Sequence, residues 1–68
     1  MAIVKVLELL CESDSSWEDA ARQAVANAAE SVHDIRSIYV ENFEAVVENN
    51  TITKWRINAK ISFGVQRD

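Results

Sequence analysis

From Thr51 to Phe63 the chain reads TITKWRINAKISF, and its positions alternate almost without a break. Thr51, Thr53, Trp55, Ile57, Ala59, Ile61 and Phe63 fall on one side; Ile52, Lys54, Arg56, Asn58, Lys60 and Ser62 fall on the other. A period of two over this length predicts a β-strand over residues 51–65 with one buried face. Residues 2–11 (AIVKVLELLC) and 35–47 (IRSIYVENFEAVV) are rich in β-branched and aliphatic types and predict two more strands.

Between the first two strands the period changes. Trp17, Ala20, Ala21, Ala24, Val25, Ala28 and Val32 recur at three- and four-residue steps, which predicts one apolar stripe on a helix of about four or five turns. The preceding ESDSS carries helix-starting chemistry, because Ser15 with Glu18 and Ser16 with Asp19 both have the spacing of a capping box. His33 is expected at the helix end, where an imidazolium suits the dipole. The alanines keep the stripe thin, so a sheet can lie close against it.

Glu48-Asn49-Asn50-Thr51 has the composition of a tight hairpin turn, since Asn tolerates the left-handed backbone that a type I′ turn demands. With Asn49 and Asn50 as the loop, Ile38 faces Ile61, Val40 faces Ala59 and Val46 faces Thr53 on the core side. On the far side Ser37 faces Ser62, Tyr39 faces Lys60, Phe43 faces Arg56 and Val47 faces Ile52. Glu44 beside Trp55 is the awkward pair, and a β-bulge would relieve it. A right-handed crossover makes the first two strands parallel, which leaves room for the hairpin strand between them. The expectation is an α+β fold of order β-α-β-β: a three-stranded sheet, strand order first-third-second, curled over one helix as a single domain of residues 1–68.

The far face would expose Ile35, Tyr39, Phe43, Val47 and Ile52, too much apolar surface to leave in water. Size points the same way. A chain of about 60 residues buries only roughly 60% of its unfolded surface and usually needs added support. The single cysteine, Cys11, excludes an internal disulfide, and no zinc-type Cys/His spacing is present. Self-association is the remaining source of stability.

A net charge of −4 argues against nucleic acid and anionic membrane as partners. No apolar run approaches the roughly 20 residues of a membrane helix, and MAIVKVLELL is broken by Lys5 and Glu8. With 49% hydrophobic residues the chain is expected to be ordered, soluble and cytoplasmic.

The residues offer no catalytic constellation, and the expectation is a protein that is not an enzyme. Ser13, Ser15 and Ser16 suggest capping, Cys11 a semi-buried thiol, and Trp17 and Trp55 core. Glu12, Asp14, Glu18 and Asp19 cluster without EF-hand spacing and read as a solvated, helix-capping face, with no metal ligands assigned.

The VKVLEL start, the SWEDAARQAVANAAESV helix, the VHDIRSIYVEN second strand and the WRINAKISF third strand together resemble the dodecins. Members of that family are small flavin-binding proteins that assemble twelve subunits into a hollow shell. The resemblance implies a homo-dodecamer that binds and stores a small molecule in pockets between subunits, with a riboflavin- or FMN-type flavin as the family ligand. It also implies a far-face site at Ser37, Arg56, Tyr39 and Phe43. Ser37 stands where flavin-binding members stack a tryptophan, and Arg56 where they present a glutamine. Serine has no π surface and arginine only donates hydrogen bonds, so weak or absent flavin binding is expected. A different small ligand, ions such as calcium, or a purely structural shell are the alternatives.

Overall fold

The computed structural model describes residues 3–65, so Ala2, expected in the first strand, lies outside the described residues. The elements are β1 (Ile3–Ser13), α1 (Trp17–Ala28), β2 (Ile35–Glu48) and β3 (Thr51–Val65). They form one three-stranded sheet of order β1-β3-β2 with both pairings antiparallel. This is the β-α-β-β sheet-on-helix architecture that the two periodicities imply.

The hairpin turn has the expected conformation. Asn49 and Asn50 have φ of 52° and 62°, the left-handed values that a type I′ turn requires and Asn tolerates. The helix starts as its serines suggest: Ser16 is the N-cap, and its hydroxyl accepts the Asp19 N–H at 2.9 Å. Asp19 does not return the bond. Its carboxylate accepts from Ser13 Oγ at 2.6 Å and from Gln23 Nε2, which holds its pKa below the usual aspartate value, chiefly through Ser13.

Helix α1 is shorter than its stripe. It ends at Ala28, and His33 lies beyond it in an exposed turn. Val32 still packs on Ala24, Ala28 and Ile61, because its N–H bonds the Ala28 carbonyl at 2.9 Å. The periodic pattern therefore outlasts the regular helix by one turn. Asp34, with φ of 60°, then redirects the chain into β2. Its carbonyl accepts the Gly64 N–H at 2.9 Å, and a Cβ at Gly64 would run into the Asp34 carboxylate and the Arg36 guanidinium.

Ala20, Ala24 and Ala28 are fully buried against Ile57, Ala59 and Ile61, flanked by Leu7, Leu9, Cys11 and Ile38. Fully burying an isoleucine contributes about 1.5–3 kcal/mol, and only Ile57 and Ile61 among the fully buried residues are that large. The core is thin. Cys11 is half-buried in it, and burial pushes its thiol pKa up, so it is a packing residue.

The molecule is long for its size. It measures 54 × 19 × 13 Å with a radius of gyration of 14.0 Å, where a compact chain of this length would have about 11 Å. The cause is the hairpin, whose strands run 14 and 15 residues, while a 12-residue helix spans only about 18 Å. Much of the sheet has no layer above it.

Candidate functional site

Three register shifts in β2 decide which side chains reach the far face. They lie between Ile35 and Ser37, between Val40 and Asn42, and between Val46 and Val47. Before the middle shift the expected pairs hold, with Ser37 opposite Ser62, Tyr39 opposite Lys60, Ile38 opposite Ile61 and Val40 opposite Ala59. The extra residue, Glu41, then turns the strand over. Asn42 pairs with Asn58, Phe43 with Ile57, Glu44 with Arg56, Ala45 with Trp55 and Val46 with Lys54. The awkward Glu44–Trp55 pairing is gone, and at the last shift Val47 returns to its place opposite Ile52.

The shifts move Val46 from Thr53 to Lys54 and, with the placement of α1, correct further expectations. Phe43 does not stand opposite Arg56 on the far face; it pairs with buried Ile57 and meets Trp17 edge-on, ring centroids 5.8 Å apart. Trp17 is not in the core but 37% exposed, donating its indole N–H to the Glu44 carbonyl at 2.9 Å. Ile35 packs on the Ala24–Ala28–Ile61 cluster rather than facing outward. Trp17 and Phe43 form an aromatic clamp between the helix start and the overhanging hairpin, which a strict alternation count cannot detect.

Ser37 and Arg56 both lie on the far face, as expected, but they are not neighbours within the chain. Ser37 pairs with Ser62, six residues along β3 from Arg56, roughly 20 Å at strand rise. The Ser37 and Ser62 hydroxyls are hydrogen-bonded at 2.5 Å. Tyr39 is 64% exposed opposite Lys60 and is the aromatic residue that remains on this face.

Arg56 sits on the central strand between two acids, one from each neighbour. Its Nε donates to Glu12 Oε2 at 2.8 Å, its Nη2 to the same oxygen, and its Nη1 to Glu44 Oε1 at 3.3 Å. These bonds, Glu12 first, raise the guanidinium pKa further, so it carries a fixed positive charge. Glu41 meets Lys60 at 3.4 Å, and Asp14 meets Lys54 at 3.4 Å. Each basic residue of this face is matched to an acid. Neither Glu12 nor Glu44 was singled out as its partner in the sequence, because nothing there sets the register of β1 and the bulge hides that of Glu44.

Beside this ion triad is a pocket of about 310 Å³, lined by Leu10, Asn42, Phe43, Glu44, Arg56 and Asn58. Asn58 Oδ1 is buried and has no hydrogen-bond partner. Around it the far face stays apolar, with Val6 60%, Leu10 66%, Val47 59% and Ile52 47% exposed. No group of three His, Cys, Asp or Glu side chains among the described residues is placed to hold a metal ion.

The sequence matches the dodecin family over residues 3–66. The chain belongs to the dodecin family. A relative described as calcium dodecin, from Mycobacterium tuberculosis, is 36% identical over 63 residues, covering 93% of this chain and 89% of the relative. Among solved dodecins, a mutant of the T. thermophilus protein superposes with a TM-score of 0.93 at 16% identity, all of both chains covered. Dodecin from Streptomyces coelicolor gives 0.91 at 19% identity, covering 98% of this chain and 96% of that one. These two establish the dodecin fold. The crystal structure of the calcium-chelating M. tuberculosis antigen, described as having a novel calcium-binding site, gives 0.81 at 33% identity, covering 97% and 94%.

Flavin is the ligand that the family resemblance implies, at positions that the resemblance assigns to Ser37 and Arg56. Ser37 presents no aromatic face and spends its hydroxyl on Ser62. Arg56 offers only donors, already directed at two carboxylates.

Proposed function

We propose that this dodecin is an oligomeric small-molecule or ion-binding and storage protein whose sites are formed between copies, and that it does not hold flavin by the family's stacking mode. The observation that carries this reading is the far face: it joins a broad exposed apolar surface to a row of ion pairs in which Arg56 is paired with two carboxylates of its own chain. Such a face is suited to being covered by another subunit. Twelve copies are expected from the family. The test is native mass spectrometry of the purified protein together with release and identification of any bound small molecule. A dodecamer carrying a non-flavin cargo, or none, agrees with the reading; stoichiometric flavin contradicts it.

A calcium reading is favoured by one specific relation, the 36% identity to a protein described as calcium dodecin. The acids Glu12, Asp14, Glu41 and Glu44 each meet a base within the chain. Calcium takes 6–8 oxygens, so a site here would draw carboxylates from more than one copy. Calorimetric titration of the chelator-treated assembly with calcium tests it: saturable binding at fewer than one ion per chain supports a shared site, and no heat excludes it.

A further inference from the structure

Strands β1 and β3 run on past the end of the helix that covers them. Lys5 pairs with Phe63 as Leu7 pairs with Ile61, so alternation puts Lys5 and Phe63 on the helix side of the sheet. The helix has ended by then, since Ala28, its last residue, packs on Ile61. A second pocket, of about 430 Å³, opens there. It is lined by Val32, His33 and Asp34 of the turn after α1 and by Lys5, Phe63 and Val65 of the sheet. That volume is within the range of small-molecule sites, about 300–1,000 Å³. Phe63, Val65 and Val32 are half-buried and supply apolar walls. The charges at the rim are unequally matched. Asp34 is engaged by Arg36, whose Nη2 and Nε donate to its carboxylate at 2.8 and 3.3 Å. Lys54 and Lys60 each meet an acid, whereas among the described residues Lys5 has none within ion-pair distance.

We infer that this pocket binds a small monoanion with an apolar body, an aryl or alkyl carboxylate, whose charge meets the Lys5 ammonium while its body lies against Val32, Phe63 and Val65. The site is built by one chain, on the opposite side of the sheet from Ser37 and Arg56, so it does not depend on copies meeting across the far face. Three observations select this chemistry. First, a single unmatched cation suits a single negative charge, and a lysine can lay its stem along apolar walls while its ammonium stays at the rim. Second, the backbone donors near the pocket are already used. The Ser31 and Val32 N–H groups donate to the Ala28 carbonyl at 3.0 and 2.9 Å, and the Gly64 N–H to the Asp34 carbonyl at 2.9 Å. Phosphate sites draw on free backbone N–H groups, and a dianion here would also face the Asp34 carboxylate. Third, a bare hydrated ion would leave the apolar walls in water, whereas an apolar body covers them.

The experiment is calorimetric titration of the full chain, in whatever assembly it forms, with naphthoate as the probe. Naphthamide keeps the ring and removes the charge, and naphthyl phosphate adds a second charge. Naphthoate should bind saturably at one per chain with a dissociation constant below about 1 mM. Naphthamide should bind about five- to tenfold more weakly, and naphthyl phosphate no more tightly than naphthoate. Lys5→Met should weaken naphthoate binding by the same factor, Lys5→Arg should restore most of it, and Arg22→Met, which removes a positive charge from the helix, should leave it unchanged. Far-ultraviolet circular dichroism confirms that each variant is folded, and the comparison of the three probes on the wild type stands without any variant. No saturable binding of naphthoate overturns the inference, as does equal affinity for naphthamide, tighter binding of naphthyl phosphate, or a folded Lys5→Met variant that binds like the wild type. A stoichiometry below one per chain also overturns it, because that belongs to a site shared between copies.

Discussion

Restoring the family's flavin residues tests whether positions 37 and 56 share one pocket. The perturbation is Ser37→Trp and Arg56→Gln, singly and together. Within one chain the two sites are six residues apart along β3, roughly 20 Å. Substitutions more than about 7–10 Å apart with no shared partner add to within about 0.3–0.5 kcal/mol. A pocket shared between copies brings them together, and contacting residues couple by about 0.5–3 kcal/mol. The tryptophan itself supplies an aromatic stacking surface worth about 1–3 kcal/mol, at the loss of an exposed Ser37–Ser62 hydrogen bond. Ser37→Trp alone should gain little, because Arg56 and its two carboxylates still occupy the edge-binding position. Arg56→Gln alone should also gain little, having no ring to stack. The assay is quenching of riboflavin fluorescence, with each affinity converted to free energy. The double variant should exceed the sum of the singles. Additivity to within about 0.5 kcal/mol would refute a shared pocket.

Three further outcomes follow from the same structure. The unmodified chain should quench riboflavin fluorescence weakly or not at all; strong, saturable quenching would mean that Tyr39 provides the stacking surface on the far face. Ala24→Leu forces a large side chain between helix and sheet at a site only 1% exposed and should cost about 1–3 kcal/mol in urea unfolding at fixed protein concentration; unchanged stability would show that the helix does not set the spacing. Asp19 is held below the ordinary aspartate pKa of about 3.9 by Ser13, then Gln23 and Arg22, so its stabilisation is complete above that value and is lost as pH falls through the lower native value. Asp19→Asn should therefore flatten the acid limb of the stability curve, and an unchanged limb would contradict this.

Much of the fold was legible because its signals are periodic. The alternation in 51–65, the three- and four-step stripe from Trp17 and the Asn49-Asn50 turn each report a local backbone state directly. What the pattern missed has a common cause. A period count cannot register an inserted residue, so the extra residue at Glu41 reversed the faces of Phe43 and Asn42 while leaving the composition of the strand unchanged. Likewise the stripe ran through Val32 because the turn after Ala28 keeps one helix-like hydrogen bond. The ion triad depended on the register of β1, which pairs Glu12 with Arg56 and for which no turn provides a local signal. The wide separation of Ser37 and Arg56 was implicit in the predicted hairpin, but a small protein invites the assumption that two far-face residues touch. They share a face here, and in the proposed account they meet only across subunits.

The account stands on assembly through the far face of the sheet, and the molar mass in solution measures that directly. Multi-angle light scattering of the full chain at micromolar concentration should give one compact species of twelve times the 7.7 kDa subunit. It should persist on dilution, and Val47→Glu or Ile52→Lys, which place charge on the exposed apolar end of the hairpin, should destabilise it. A stable, folded monomer at the same concentration would contradict the account.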